Sequence, residues 1–281
     1  MREIQVREIT AAVERLCQEA NYFLGEDIIG ALQKGLQEEI SPLGKDVFRQ
    51  LLENAQLARE ERMPLCQDTG TVVLFIDLGQ DVRLVGGDFN RAINEGVRRG
   101  YLGGFLRNSI VDDPLGGRVN TGDNTPAIVH LRLVPGEKVK LVLAPKGGGS
   151  ENMSAVRMLA PAQGAAGLTD FVVETVCHAG ANPCPPVVVG VGLGGNFEEV
   201  ALLAKRALLR PLGRPHPQHF YADLEKEMLE KINRSGIGPQ GFGGRFTALA
   251  VHLETAPCHI ASLPAAVNMN CHAARHALVE L

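Results

Sequence analysis

Cys66-Gln67-Asp68-Thr69-Gly70 runs directly into Thr71-Val72-Val73-Leu74-Phe75-Ile76. The first five residues set a thiol, an amide, a carboxylate and a hydroxyl side by side and close them with a glycine, which makes a loop that offers chemistry rather than packing. The next six are β-branched or apolar with no polar alternation, the pattern of a strand covered on both faces. Upstream of the loop, Ile9, Val13, Leu16, Cys17 and Ala20 repeat at helical spacing. Val47, Leu51, Ala55 and Ala58 repeat it again from Asp46 to Glu60, with Ser41-Pro42 as the start signal. Cys17 falls on the buried face and reads as a small core residue.

Downstream, Gly86-Gly87-Asp88 leads into a helix through Ile93 and Val97. From Gly103 to Pro126 the chain is full of Gly, Asn, Asp and Pro, a length at which loops in compact domains are functional or disordered. Its many special backbone positions favour function. Ile128 to Val134 and Lys138 to Ala144 read as two strands joined by Pro135-Gly136, a hairpin. A helix is expected between Gly164 and His178, then a strand from Val187 to Val191. Gly192-Leu193-Gly194-Gly195-Asn196 is expected to turn into a helix with Glu198 and Glu199 first and Lys205 and Arg206 last, which suits the helix dipole. A charged helix around Leu224 to Ile232, a second glycine-rich stretch and a final strand from Phe246 to Leu253 complete the pattern. The expected fold is mixed α/β: a helical cap over residues 1–60, then a mixed-sheet body flanked by helices over 61–281, forming one domain.

At 281 residues with 45% hydrophobic residues the chain can build a substantial core. The net charge of -4 and the absence of a basic stripe argue against nucleic acid as a partner. No apolar stretch approaches the roughly 20 residues that span a bilayer, and the first 25 residues carry acids instead of resembling a signal peptide, so a cytoplasmic protein is expected.

The glycine loops and cysteines carry the candidate chemistry. Gly192 to Gly195 do not fit GxGxxG, and a tight structural turn is the better reading. Lys146 to Ser150 opens successive backbone N–H groups to a phosphate or a carboxylate, or forms a flexible hairpin exit. Of the six cysteines, Cys66, Cys184 and Cys271 stand in loops beside residues that constrain the backbone. With no CxxC, any metal site must be assembled from cysteines far apart in sequence. Soft thiolates suit zinc or an iron–sulfur cluster, and three thiolates around a cubane leave one iron without a protein ligand. An open iron can hold a hydroxyl and a carboxylate and assist loss of water. That chemistry needs a proton donor or acceptor nearby, and Asp68 lies two residues from Cys66.

The order of motifs carries a resemblance. Cys66 to Gly70, Arg107-Asn108-Ser109-Ile110-Val111-Asp112-Asp113-Pro114-Leu115, Lys146-Gly147-Gly148-Gly149-Ser150-Glu151-Asn152, Cys184-Pro185-Pro186, Cys258-His259-Ile260-Ala261-Ser262-Leu263-Pro264 and Asn270-Cys271 resemble the motifs of class I, iron–sulfur fumarate hydratases. The likeness covers essentially the whole chain, and L(+)-tartrate dehydratase alpha subunits are similar. It implies an alpha subunit with a 4Fe–4S cluster held by Cys66, Cys184 and Cys271 and the fourth iron open to substrate. Gln67, Asp68, Arg107, the backbone at Gly149 and His259 would surround a small dicarboxylate. Asp68 would act as acid/base or orient the leaving hydroxyl, and His259 would orient the substrate. Further arginines, a lysine and a threonine of the family's site are expected on a separate beta subunit, with alpha chains pairing in a heterotetramer. The implied reaction is oxygen-sensitive, reversible hydration of fumarate to (S)-malate in the tricarboxylic acid cycle, with tartrate to oxaloacetate as the alternative. A non-catalytic iron–sulfur scaffold or redox sensor is the reading of another class. It would need the thiols but neither Arg107 nor Asp68, and a zinc site would need zinc in place of iron and sulfide.

Overall fold

A computed structural model describes all residues, Met1–Leu281. In chain order its elements are β1 (Arg2–Gln5), α1 (Val6–Tyr22), α2 (Glu26–Glu38), α3 (Pro42–Glu61), β2 (Thr71–Gly79), β3 (Val82–Val85), α4 (Phe89–Gly103), β4 (Ile128–Val134) and β5 (Val139–Lys146). They continue with α5 (Gly148–Glu151), β6 (Ala155–Leu159), α6 (Gly164–Ala179), β7 (Val187–Gly195), α7 (Phe197–Ala207), α8 (His219–Asn233), β8 (Ala248–Cys258), β9 (Leu263–Asn270) and β10 (Ala277–Glu280). The fold is mixed α/β, as the sequence predicts. No helix is long and apolar enough to cross a membrane.

The chain divides into two compact units. Unit one comprises Met1–Gly25, Ala55–Gly148 and Arg275–Leu281. Its main sheet has the order β10-β5-β2-β4, with β2 parallel to β4 and antiparallel to β5, and β1 pairs with β3 beside it. The apolar run read at Thr71–Ile76 is the heart of this sheet: Val72, Leu74 and Ile76 pack with Leu141 and Leu143 of β5 against Ile9, Val13 and Leu16 of α1 and Ile93 and Val97 of α4. Fully burying each such side chain is worth about 1.5–3 kcal/mol. The start of α4 is the one expected, with the Asp88 carboxylate accepting the Arg91 N–H at 2.7 Å.

Unit two comprises Glu26–Asn54 and Gly149–Ala274. Its sheet has the order β6-β9-β7-β8, with β7 parallel to β8 and antiparallel to β9. Phe171, Val172 and Val176 of α6 and Leu224, Met228 and Ile232 of α8 pack with Val189, Val191, Val267 and Met269 of the strands. At the edge of the sheet, side chains take the backbone groups a further strand would use. Asn233 bonds both the N–H and the carbonyl of Ala248, at 2.8 and 3.1 Å, and Glu225 accepts the Leu253 N–H at 2.7 Å. On β8, His252 is buried; burial first and the Arg210 charge second push its imidazole down to about 4.

Four expectations are corrected. The strands at 128–134 and 139–146 form no hairpin, because β2 lies between them. Gly192 to Gly195 do not turn but continue β7 through Gly195. The reason is close approach: a Cβ at Gly190 or Gly192 would stand 2.1 Å from the carbonyl of Ala204 or Val200, so bare glycines let α7 lie directly on the strand. The exit of β5 is not a flexible hairpin end, since residues 148–151 form a helical turn whose first N–H, that of Gly148, is taken by the Asp68 carboxylate. The strand near 246–253 is not the last, because the cysteine- and histidine-bearing segment after it supplies β9 and β10.

Candidate active site

Within unit one, the loop of residues 66–70 links α3 to β2 and is tied down on every side. Its three successive carbonyls each receive a buried donor. The Asp68 carbonyl accepts Arg275 Nη2–H, the Thr69 carbonyl accepts Tyr101 Oη–H at 2.7 Å, and the Gly70 carbonyl accepts Asn124 Nδ2–H at 3.0 Å. The Asp68 carboxylate is fixed from the backbone: Oδ1 accepts the Gly70 N–H at 3.0 Å and Oδ2 the Gly148 N–H at 2.7 Å. Gly70 has φ +73, and a Cβ there would stand 2.7 Å from the backbone of Lys146, so only glycine fits. The result is a half-buried carboxylate of fixed orientation whose remaining lone pairs are available to a substrate.

Arg107 follows α4 and is exposed. Its carbonyl accepts the Thr69 hydroxyl at 2.9 Å, which fastens the start of the long 104–127 segment to the Asp68 loop. That segment is irregular, as expected, but knitted by its own polar side chains. Asn124 Oδ1 accepts the Ser109 N–H at 2.7 Å, Asn108 donates to the Gly122 carbonyl at 2.7 Å, and Asn120 donates to the Asn108 carbonyl at 3.0 Å. Arg107 therefore projects a planar guanidinium from a rigid base, an arrangement suited to a carboxylate. Cys66 is half-buried and Gln67 exposed in the same loop.

Gly149, Cys184, His259 and Cys271 belong to unit two. Cys184 is exposed with φ 53 and precedes the cis Pro185–Pro186 peptide. Its carbonyl accepts the His272 N–H at 3.2 Å, which holds the segment bearing Cys271 against the one bearing Cys184. Gln240 donates to the Pro185 carbonyl at 2.9 Å and meets His272 Nδ1 at 3.2 Å, so both segments are braced from the same side. Gly149 is the second residue of the helical turn α5, where a Cβ would meet the Asn182 carbonyl at 3.4 Å. His259 is exposed in the β8–β9 connection. Its Nδ1 accepts the Ala261 N–H at 3.1 Å, which leaves Nε2–H as the outward donor.

The six thiols differ in kind. Cys17 is fully buried and burial drives its thiol far above the ordinary range, so it is the inert core residue expected. Cys66 and Cys271 are half-buried and Cys184 exposed, as ligands for an inserted group need to be. Neither unit by itself gathers three His, Cys, Asp or Glu side chains into a metal-binding group. Sequence reasoning missed Tyr101, Asn124 and Arg275. The one signal available for Arg275 is a cation placed four residues after Cys271 in an alanine-rich run.

The sequence matches the family described as Fumarate hydratase (Fumerase) over residues 10–280. It is 40% identical over 284 residues to a putative L(+)-tartrate dehydratase subunit alpha of Methanocaldococcus jannaschii, covering 98% of each chain. It is 30% identical over 278 residues to the L(+)-tartrate dehydratase subunit alpha of Escherichia coli strain UTI89, covering 98% of this chain and 91% of the other. The corresponding protein of strain K12 is 30% identical over 272 residues, covering 96% and 89%.

Proposed function

Because the chain belongs to the fumarate hydratase family and is a hydro-lyase, we propose that it is the alpha subunit of an iron–sulfur enzyme that interconverts (S)-malate and fumarate. The observation that carries the reading is the Asp68 carboxylate, set in a fixed orientation by two backbone amides in a loop that begins with a cysteine. The donor set fits a 4Fe–4S cluster, with Cys66, Cys184 and Cys271 as ligands, each an accessible or half-buried thiol in a loop. When bound, the cluster supplies a Lewis-acidic iron for the leaving hydroxyl.

The chain's own residues divide the remaining work. Arg107 takes one substrate carboxylate through its two parallel N–H donors. Gln67 and the Gly149 N–H bind substrate oxygens, and His259 orients the substrate through Nε2–H. Asp68 holds or moves a proton at its carboxylate oxygen, which is the step that dehydration requires beside the departing hydroxyl. A beta subunit completes the site with further cationic groups, and alpha chains pair within the assembly. The subunit designation of the relatives supports a heteromer. Those relatives' names favour a second reading, tartrate to oxaloacetate, by the same chemistry on a substrate with one more hydroxyl.

An anaerobic assay of the chain with and without its beta partner tests the reading. Fumarate absorbance is followed from malate and oxaloacetate from tartrate. Malate turnover that appears only with the partner is expected. Tartrate turnover alone would change the substrate, and turnover of neither, with an intact cluster, would sink the hydratase reading in favour of a scaffold.

A further inference from the structure

Arg275 is 5% exposed, yet its guanidinium has a single acceptor. Nη2–H donates to the Asp68 carbonyl, across 207 positions of sequence, while Nε and Nη1 are buried without a partner. Burying a cation to satisfy one neutral carbonyl is a poor bargain for stability, because a neutral donor would make the same bond with less desolvation. The arginine is therefore explained by what it holds.

What it holds is the peptide of Asp68. Tyr101 and Asn124 fix the next two carbonyls, of Thr69 and Gly70, and both of those donors come from the 89–127 stretch of unit one. Arg275 alone reaches the Asp68 carbonyl, from the segment after β9. Rotation of that peptide would swing the carboxylate away from the Gly70 and Gly148 N–H groups that donate to it. We propose that Arg275 is a positioning residue for Asp68: its Nη2–H pins the Asp68 carbonyl so that the carboxylate stays seated on the two backbone amides. The inference rests on Asp68 acting in the reaction as proposed above.

The test uses the alpha/beta complex, assayed anaerobically, with Arg275→Met, Arg275→Lys, Asp68→Asn and the Asp68→Asn/Arg275→Met pair. A displacement of about 1 Å at a reacting group costs on the order of 100-fold in rate, so Arg275→Met is expected to lower kcat about 100-fold with KM within about threefold. Arg275→Lys, which keeps a charged donor on a flexible stem, should recover roughly tenfold of that loss. Because Arg275 acts through Asp68, the double variant should be no slower than Asp68→Asn alone. A purely structural role would instead multiply the two losses. Full kcat in Arg275→Met, or multiplicative losses in the pair, would overturn the inference while leaving Asp68 in place. Full kcat in Asp68→Asn would remove the underlying reading instead. If Arg275→Met does not fold, Arg275→Lys and Arg275→Gln, which both retain a donor, carry the same comparison: kcat must fall in the order Arg, Lys, Gln at constant KM, and equal kcat in all three overturns it.

Discussion

Tyr101→Phe isolates one bond in the clamp on the Asp68 loop. The tyrosine is fully buried, and its hydroxyl donates to the Thr69 carbonyl at 2.7 Å and, more weakly, to the Gly70 carbonyl at 3.1 Å. Burial holds its phenol far above the usual range, so it remains a neutral donor at any working pH. Phenylalanine preserves the ring and leaves no cavity. The Gly70 carbonyl keeps its bond from Asn124 at 3.0 Å, so of the two carbonyls it is that of Thr69 that is orphaned. One buried acceptor left unmet costs about 1–2 kcal/mol. For a chain of this size that corresponds to a fall in Tm of about 2–8 °C. Thermal unfolding of the purified chain followed by circular dichroism measures it, and kcat in the alpha/beta complex should fall as well because the loop carrying Asp68 is loosened. A Tm within about 1 °C of the parent, with unchanged kcat, would refute the claim that these carbonyl bonds hold the loop.

Three further outcomes are expected. Replacing Cys66, Cys184 or Cys271 by Ser should abolish the visible absorption of a reconstituted cluster, whereas Cys17→Ala should leave it intact; loss of the cluster on changing Cys177 or Cys258 instead would show the ligand assignment to be wrong. Arg107→Ala in the alpha/beta complex should raise KM for the dicarboxylate at least tenfold with the cluster spectrum unchanged, consistent with loss of a charge-assisted bidentate pair, and an unaltered KM would place the substrate elsewhere. The His252 imidazole sits at about 4 in the fold against 6.5 in the open chain. The unfolded chain therefore takes up a proton first as pH falls: the stability is fully present above 6.5 and about 3 kcal/mol is lost on descending to about 4. Urea unfolding at several pH values should show that loss in the parent and not in His252→Gln, and identical slopes in the two would exclude it.

What was legible in the sequence was local. The buried run 71–76 and the helices opening at Asp88 and Asn196 announce themselves because periodicity and capping act within a few residues. Strand neighbours do not. Pro135-Gly136 signals a turn, but nothing in those residues reports that β2, from far upstream, is inserted between β4 and β5. The glycines of β7 resemble a ligand loop for the same reason: their cause is the backbone of α7, which arrives later in the chain. Of the site, Asp68 and the cysteines stood out by residue type and company. Arg275 did not, because an arginine in an alanine-rich run reads as surface until the Asp68 carbonyl is found against it.

The interleaving of the two units has a consequence for biosynthesis. Residues 26–54 interrupt unit one with a piece of unit two, and residues 275–281 return to unit one after all of unit two has been made. As the chain leaves the ribosome, the sheet of the first unit therefore waits for β10, and the Asp68 loop waits for Arg275, while the whole 149–274 stretch emerges. Closing so long an excursion is slow compared with folding a contiguous domain. Nascent chains arrested anywhere before residue 275 would carry an unlocked loop and an uncovered edge at β5, so the Asp68 loop is set only after residue 275 has emerged.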